Sequence, residues 1–150
     1  MNATLSSKSD EWSTPQDLFD ALDNEFHFTL DPCCTPATAK CDKYFSITEN
    51  GLLQDWSGDT VFCNPPYSQV AKWIRKAYGE SLAGATVVCL VASRTDTRWW
   101  HAYAMKAEIR FLRGRLKFGG SKYSAPFPSA VIVFRPRQFR LTAQAASDAL

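Results

Sequence analysis

Apolar side chains recur along the chain at two different spacings, which predict helices and strands in alternation. A spacing of three to four residues predicts helices over residues 15–24 and 70–83. Thr14 can cap the first helix, Pro15 suits its first turn, and Gly84 is expected to end the second helix. The apolar positions are Leu18, Phe19, Leu22 and Phe26 in the first helix and Val70, Trp73, Ile74 and Ala77 in the second.

Short apolar runs predict strands between and after these helices. They cover residues 28–31, 60–63, 86–91, 108–112 and 129–134. The third run is apolar throughout, as is typical of a parallel strand covered on both faces. Strands that alternate with helices predict an α/β fold, with three layers around a mostly parallel central sheet.

Polar residues lie at the ends of three of the predicted strands: Asp31, Asn64 and Ser93. Ligands of such sheets bind beyond the carboxyl ends of the strands, so we expect these residues to line one crevice. The pattern indicates one domain without an internal repeat. We expect residues 1–9 to form a flexible tail, residues 10–137 the domain, and residues 138–150 a tail or short helix.

Composition is that of a globular protein, with 45% hydrophobic and 21% charged residues in a chain of 150. The longest apolar run, residues 85–92, is too short to span a bilayer, and no secretory signal is visible, so a cytoplasmic protein is expected. Cys33, Cys34 and Cys41 cluster near His27, which raises the question of zinc. Their spacing differs from that of common structural zinc sites, and we expect no metal.

Charge is distributed unevenly along the chain. Residues 1–93 hold 6 Lys/Arg and 12 Asp/Glu, whereas residues 94–150 hold 11 Lys/Arg and 3 Asp/Glu. Several of the later cations cluster between residues 94 and 122, which favours a polyanion partner such as nucleic acid. The alternative is a solvated surface on which these residues are scattered.

The tetrapeptide Asn64-Pro65-Pro66-Tyr67 ends the apolar run 60–63. Neither proline has an N–H to donate to a strand ladder, so the run must stop in a stiff, extended turn. Such a turn presents one carboxamide and one aromatic ring, a pair suited to a planar molecule with an amino group. The alternative is an ordinary turn that ends a buried strand.

This tetrapeptide resembles the catalytic motif of S-adenosylmethionine-dependent amino methyltransferases, in particular those acting on adenine in DNA. From about residue 10 to residue 136 the chain is similar to the small phage-type DNA adenine-N6 methyltransferase family, whose members have a reduced Rossmann-like methyltransferase fold. The segments that carry the resemblance are Glu11-Trp12-Ser13-Thr14-Pro15, Leu30-Asp31-Pro32-Cys33, Ala39-Lys40-Cys41, Tyr44-Phe45, Asn64-Pro65-Pro66-Tyr67, Arg94-Thr95-Asp96-Thr97, Trp99-Trp100-His101, Gly114-Arg115-Leu116-Lys117-Phe118 and Ala125-Pro126-Phe127-Pro128-Ser129.

The resemblance implies methyl transfer to the N6 amino group of adenine in DNA, in a bacterial host cell or from a phage or prophage gene. Asn64 and the carbonyl of Pro65 would accept the two amino hydrogens, Pro66 would stiffen the turn, and Tyr67 would stack on the base. A base in duplex DNA would have to flip out of the stack, whereas single-stranded DNA would present it directly. No obligate protein partner and no membrane contact are implied.

The resemblance also implies a site for S-adenosylmethionine. Its residues would be Trp12, Thr14, Pro15, Asp31, Cys33, Asp55, Trp56 and Asn64. Asp31 would bind the amino-acid portion, and Asp55 with Trp56 the adenine portion. The usual glycine-rich loop after the first strand is missing, since no glycine precedes Gly51. Asp31 and Asp55 could instead be turn residues, and Trp12 a core anchor.

DNA contacts are expected from two segments. Arg94, Thr95, Asp96 and Trp99 follow the long apolar strand, and Asp96 is expected to pair with Arg94 or Arg98. Phosphate contacts are expected from Arg113, Arg115, Lys117 and Lys122. The length leaves no room for a target-recognition domain, so we expect a short or relaxed sequence preference. Alternatives are methylation of RNA adenine or protein glutamine, or an inactive nucleic-acid-binding relative.

Overall fold

A four-stranded mixed sheet forms the framework of the protein, in a computed structural model that describes residues 13–136. Trp12 and the two predicted tails therefore lie outside the described residues. The helices and strands are α1 (Gln16–Phe26), β1 (Thr60–Cys63), α2 (Val70–Leu82), β2 (Thr86–Ala92), α3 (Arg98–Ala102), β3 (Glu108–Phe111) and β4 (Ser129–Phe134). Short 3-10 turns cover Gly51–Leu53, Tyr67–Gln69 and Ala104–Lys106.

The strands lie in the order β1-β2-β4-β3. β1 pairs with β2 in parallel, and β4 pairs antiparallel with both β2 and β3. β1, β2 and β3 therefore run in one direction, and β4 lies reversed between two of them. The expectation of a mostly parallel sheet is not confirmed. The reason is that β4 is reached without a crossover helix, which a parallel connection such as β1-α2-β2 requires.

The predicted strand over residues 28–31 makes only isolated bridges. Leu30 bridges Val61 and Asp31 bridges Tyr44, both in parallel. This segment nevertheless extends the sheet beyond β1, because the N–H of Phe62 donates to the carbonyl of Leu30 at 3.0 Å. The other four strands and both predicted helices are confirmed to within about two residues, the normal uncertainty of such boundaries.

Both faces of the sheet are buried, which explains the continuous apolar run of β2. On one face α2 and α3 pack against Val87, Cys89 and Val91. On the other face α1 and residues 112–127 pack against side chains that include Val88 and Leu90. The expected three layers are therefore present, although irregular chain forms part of one layer.

The segments that are expected to carry the functional residues lie at one edge of the sheet. The carboxyl ends of β1, β2 and β3 meet the start of β4 at this edge. The connections that follow Cys63, Ala92 and Phe111 leave from it, as does the extended segment at Asp31. No helix of the described part is long and apolar enough to cross a membrane.

Candidate active site

Asn64 stands at the end of β1, where the two prolines turn the chain away from the sheet. Pro66 is extended, with φ −61° and ψ 141°, and leads into the turn Tyr67–Gln69 and then α2. The side-chain amide of Asn64 is half-buried, and its Nδ2 donates to Oγ1 of Thr14 at 3.0 Å. The carboxamide is therefore held in a defined orientation.

An aromatic recess, open to solvent, lies beside Asn64. Its lining consists of Asn64, Pro65, Tyr67, Leu90, Val91, Ala92, Phe118 and Phe127. The rings of Tyr67 and Phe127 are 4.6 Å apart between centroids and tilted by 57°. The recess thus offers apolar walls, which include the three rings of Tyr67, Phe118 and Phe127, and one carboxamide, which suits a flat, partly polar ligand.

Tyr67 contributes its ring to this recess rather than an ionised oxygen. Burial raises the pKa of Tyr67, and the nearby Arg94 guanidinium opposes that effect only in part. The phenol therefore stays protonated at neutral pH and does not act as a base. The end of β2 borders the recess at Ala92, and the segment with Arg94 follows it.

Phe118 and Phe127 were not singled out as site residues by the sequence pattern. Both are buried, at 5% exposure, and their ring centroids lie 6.0 Å apart. They belong to the segment between β3 and β4, in which no regular period is visible. A local signal does exist, because Leu116 and Phe118 alternate with exposed Lys117.

Asp31 is a buried carboxyl at the same edge of the sheet, with 3% exposure. Its Oδ1 accepts from the N–H of Cys33 at 3.3 Å, and its Oδ2 accepts from the N–H of Lys40 at 3.0 Å. Burial raises the pKa of Asp31 to about 6, although these two hydrogen bonds act in the opposite direction. The carboxyl is thus fixed in place and is easily protonated in mild acid.

Asp31 lies at the same edge of the sheet as Asn64. The segment that ends at Asp31 pairs with β1, since the N–H of Phe62 donates to the carbonyl of Leu30 at 3.0 Å, and Asn64 directly follows β1. The structure therefore brings the backbones of these two residues to one part of the expected crevice.

The loop after Asp31 is supported by a glycine from another segment. A Cβ on Gly51 would overlap the carbonyl oxygen of Pro32, so only glycine allows this approach. Cys33 is half-buried and packs against the core. Burial raises the pKa of Cys34 and of Cys41 to about 12, so both are neutral thiols. Between residues 13 and 136 no group of three His, Cys, Asp or Glu could hold a metal ion.

Asp55 and Trp56 lie away from Asn64. Trp56 has 0% exposure, its Nε1 donates to the carbonyl of Gly51 at 2.9 Å, and its ring stacks near Trp73. Asp55 is exposed, and its hydrogen bonds with Ser57 lower its pKa. Ser57 faces Gly84, beyond the far end of α2. The structure therefore does not support the expected cofactor contact of either residue, since Trp56 has no free surface.

Thr14 was expected to cap α1 or to contact the cofactor. The capping position is instead Pro15, whose carbonyl accepts from the N–H of Phe19 at 3.1 Å, and no side chain caps the helix. The expected cap is therefore wrong, and Pro15 is half-buried at the helix start. Thr14 is 5% exposed and places its hydroxyl against Asn64.

The segment after β2 exposes Arg94, Thr95 and Asp96. The carbonyl of Thr95 lies 2.7 Å from Nε2 of His101, and Thr97 caps α3, so this segment is anchored at both ends. The expected ion pair of Asp96 is not present in the described part of the chain. Trp99 is 8% exposed and packs in the core, so the structure does not support its expected contact with DNA.

The basic residues between β3 and β4 point outward. Leu112, Leu116 and Phe118 pack against the sheet, and the residues between them are exposed. The exposed cations are Arg113, Arg115, Lys117 and Lys122. We call these four residues the basic strip. It lies on the same segment as the two phenylalanines of the recess.

Comparison with known proteins gives this arrangement a family. The model of the family described as DNA N-6-adenine-methyltransferase (Dam) matches residues 1–143. The chain belongs to this family. A DNA N-6-adenine-methyltransferase of Haemophilus phage HP1 (strain HP1c1) is 27% identical over 144 residues, which cover 89% of this chain and 83% of that protein. A second, of Escherichia phage T1, is 27% identical over 120 residues, which cover 77% of this chain and 50% of that protein.

Within this Dam-family chain, the expected site residues fall into two groups. Asp31, Asn64, Tyr67 and Arg94 gather at one edge of the sheet, with Thr14 behind Asn64. Asp55, Trp56 and Trp99 do not join them. Burial explains why the two tryptophans are separated from the other site residues, because both pack in the core although polar residues stand next to them in the sequence.

Proposed function

We propose that this protein transfers a methyl group from S-adenosylmethionine to the N6 amino group of adenine in DNA. The observation that supports this most directly is the orientation of Asn64, whose carboxamide is fixed at the mouth of an aromatic recess. Membership of the Dam family and the basic strip agree with the same substrate.

Acceptor activation follows from the chemistry of an aromatic amino group. Its lone pair is delocalised into the ring, so it is a weak nucleophile. Oδ1 of Asn64 and the carbonyl of Pro65 would each accept one amino hydrogen, which favours a pyramidal nitrogen with a localised lone pair. The nitrogen would form a bond to the methyl carbon as the bond from that carbon to sulfur breaks, with S-adenosylhomocysteine as the leaving group, and the nitrogen would release one proton to water. Positioning and polarisation supply the rate enhancement, so no strong base is required.

Base binding would use the ring of Tyr67. Extrusion of a base from a duplex costs a few kcal/mol. Stacking on an aromatic side chain returns about 1–3 kcal/mol. Phosphate contacts of the basic strip and Arg94 would offset the rest of the free-energy cost of base extrusion. Such contacts carry no sequence information. We therefore propose a short or relaxed target sequence.

The groups present at Asp31 fit a site for S-adenosylmethionine. When bound, S-adenosylmethionine supplies an electrophilic methyl group on a positively charged sulfur. The carboxyl of Asp31, ionised above a pKa of about 6, would bind the ammonium of the amino-acid portion. Cys33 and Asn64, which flank the same region, would border it. No contact is assigned to Asp55 or Trp56.

Transfer of labelled methyl groups tests this function directly. Wild-type protein is assayed on duplex DNA, single-stranded DNA and RNA, beside Asn64→Ala. We expect label in adenine N6 of DNA, and a loss of about 10²–10³-fold in the variant, as for loss of one transition-state hydrogen bond. Asn24→Ala, an exposed position on α1, is the control and should keep full activity.

Other outcomes would identify the alternatives. Label in RNA or in protein glutamine would show that the methyl acceptor is RNA or protein and not DNA. Absence of S-adenosylmethionine binding in a titration would indicate a nucleic-acid binder without methyl transfer. Full activity of Asn64→Ala would overturn the assignment of the tetrapeptide.

A further inference from the structure

The hydroxyl of Thr14 contacts the carboxamide that the proposed reaction depends on. Nδ2 of Asn64 donates to Oγ1 of Thr14 across 50 positions of sequence. Thr14 is 5% exposed, so water has little access to this contact. The hydroxyl is not used to cap α1, which begins after Pro15 without a side-chain cap.

The neighbouring Ser13 connects the same segment to the opposite wall of the recess. The N–H of Gly119 donates to the carbonyl of Ser13 at 2.8 Å. A Cβ on Gly119 would lie 2.9 Å from Cβ of Ser13, so a larger residue would push the two segments apart. Gly119 directly follows Phe118, which lines the recess. Ser13 and Thr14 therefore join Asn64 to the aromatic wall.

A carboxamide needs such an anchor because its outer torsion is soft. The oxygen and nitrogen ends exchange by a half-turn about a broad, roughly two-fold potential. Only the orientation with the oxygen toward an acceptor amino group can polarise that group. Anchoring of Nδ2 on a hydroxyl acceptor selects one of the two orientations before a substrate arrives.

We propose that Thr14 is a positioning residue for methyl transfer, which holds Nδ2 of Asn64 so that Oδ1 faces the acceptor amino group. Ser13 and Gly119 keep Thr14 in register with the wall formed by Phe118. This inference rests on the proposed function for its kinetic consequence, whereas the hydrogen bond itself can be tested without activity.

Two substitutions at Thr14 separate the hydroxyl from the shape of the side chain. Thr14→Val keeps the shape and removes the hydroxyl, whereas Thr14→Ser keeps the hydroxyl. We expect Thr14→Val to lower kcat by about 10–100-fold, the scale of a small misplacement of a reacting group, while its KM for S-adenosylmethionine changes less than about threefold. Thr14→Ser should stay within about threefold of wild-type kcat.

A double variant excludes a merely structural role. In the Asn64→Ala background, Thr14→Val should cause no further loss of kcat, because the group that it orients is gone. An equal loss of kcat in both backgrounds would overturn the proposal. So would wild-type kcat in Thr14→Val.

An activity-independent measurement distinguishes failure of this inference from failure of the proposed function. The side-chain NH₂ signals of Asn64 in an ¹⁵N spectrum are assigned by their loss in Asn64→Ala. We expect them to shift and to exchange faster with solvent in Thr14→Val, but not in Thr14→Ser. Unchanged signals in Thr14→Val would overturn the inference whether or not the protein methylates DNA. A wild-type protein that methylates nothing would instead overturn the proposed function.

Gly119→Ala tests the contact between Ser13 and Gly119, the second part of the proposed arrangement. It should shift the same Asn64 signals and lower kcat, because the added Cβ displaces Ser13. Gly58→Ala is the matched control, since a Cβ there meets nothing within 4 Å. Equal effects of the two alanines would overturn the coupling between Ser13 and the recess.

Discussion

Asp31 illustrates how a single buried carboxyl can serve binding at a cost in stability. Its pKa rises from the ordinary 3.8 to about 6 because burial disfavours the charge. The native carboxyl therefore holds its proton more tightly than the unfolded one. The stability that it contributes is fully present below pH 3.8 and is lost as pH rises through about 6. The ionised form that suits a cationic ligand is the less stable one.

Cofactor affinity should follow this ionisation. Between about pH 4.5 and pH 7 the ligand ammonium stays charged, so within this pair of groups only the carboxyl of Asp31 changes its charge. We expect the affinity for S-adenosylmethionine to rise by up to about tenfold per pH unit below a pKa of about 6, and to level off above it. Calorimetric titration across this range is the measurement.

Asp31→Asn is the control for that titration. It should bind weakly with no pH dependence in the same window, provided that circular dichroism shows a folded protein. A wild-type pH profile retained in Asp31→Asn would assign the ionisation to another group.

At the residue scale, the local sequence was sufficient to predict where Asn64 and Asp31 lie, but not that Thr14 contacts Asn64. Asn64 and Asp31 are placed by the ends of their own strands, which the apolar runs mark. The partner of Asn64 lies 50 positions away and is chosen by how α1 packs on the sheet. The burial of Trp56 and Trp99 was not predicted, because a tryptophan beside a polar residue looks the same in sequence whether it is buried or exposed.

At the scale of elements, an ion-pair cluster links α1 to the edge strand β3. Arg110 makes two hydrogen bonds of 2.7 Å to Glu25 and a further one to Glu108. Arg135 also reaches Glu108 at 2.7 Å, and both guanidinium groups lie over the ring of Phe26. Because α1 carries Thr14 at its start, this cluster holds the far end of the helix that supports the site.

Loss of Arg110 should therefore lower stability modestly. The side chain is 33% exposed, so solvent screens the pairs, and we expect Arg110→Ala to cost about 0.5–1 kcal/mol of unfolding free energy. Urea denaturation measures this. Arg113→Ala, an exposed arginine of the basic strip, should leave the midpoint unchanged, and equal destabilisation by the two variants would contradict the linking role.

The helices and four of the strands could be predicted from the sequence, but the way in which the strands pair could not. The helices followed from the 3.6-residue spacing of their apolar positions, and the four strands followed from short continuous apolar runs. The direction of β4 depended on the route of residues 112–128, which contain no helix to carry the chain across the sheet. The segment 28–31 was too short to form a ladder and remains as two bridges.

At the scale of the whole molecule, the excess of cations after residue 94 is smaller at the surface than in the sequence. Arg110 and Arg135 are engaged with Glu25 and Glu108, whereas the exposed cations of residues 94–136 are the basic strip, Arg94, Arg98 and Lys106. The charge of the sequence indicated a nucleic-acid partner, but only the packing separates structural cations from available ones.

Salt dependence should separate these two classes of arginine. Each phosphate contact removed lowers the slope of log affinity against log salt by about 0.9 for duplex DNA. We expect Arg113→Ala to reduce the slope by about that amount, and Arg110→Ala to leave it unchanged. Fluorescence anisotropy with a labelled duplex gives the slopes. An identical slope for both variants and wild type would remove Arg113 from the DNA contact surface.

The fit between Gly51 and Pro32 has a consequence for how such proteins can be recombined. Gly51 belongs to a different stretch of chain from the loop after Asp31, and a Cβ there would overlap the backbone carbonyl of Pro32. Chimeras that exchange the loop alone would transplant only one side of this contact. Because the contact is to backbone, glycine is required at position 51 whichever residue stands at position 32, so the segment with Gly51 should be moved together with the loop when the loop is grafted onto a relative.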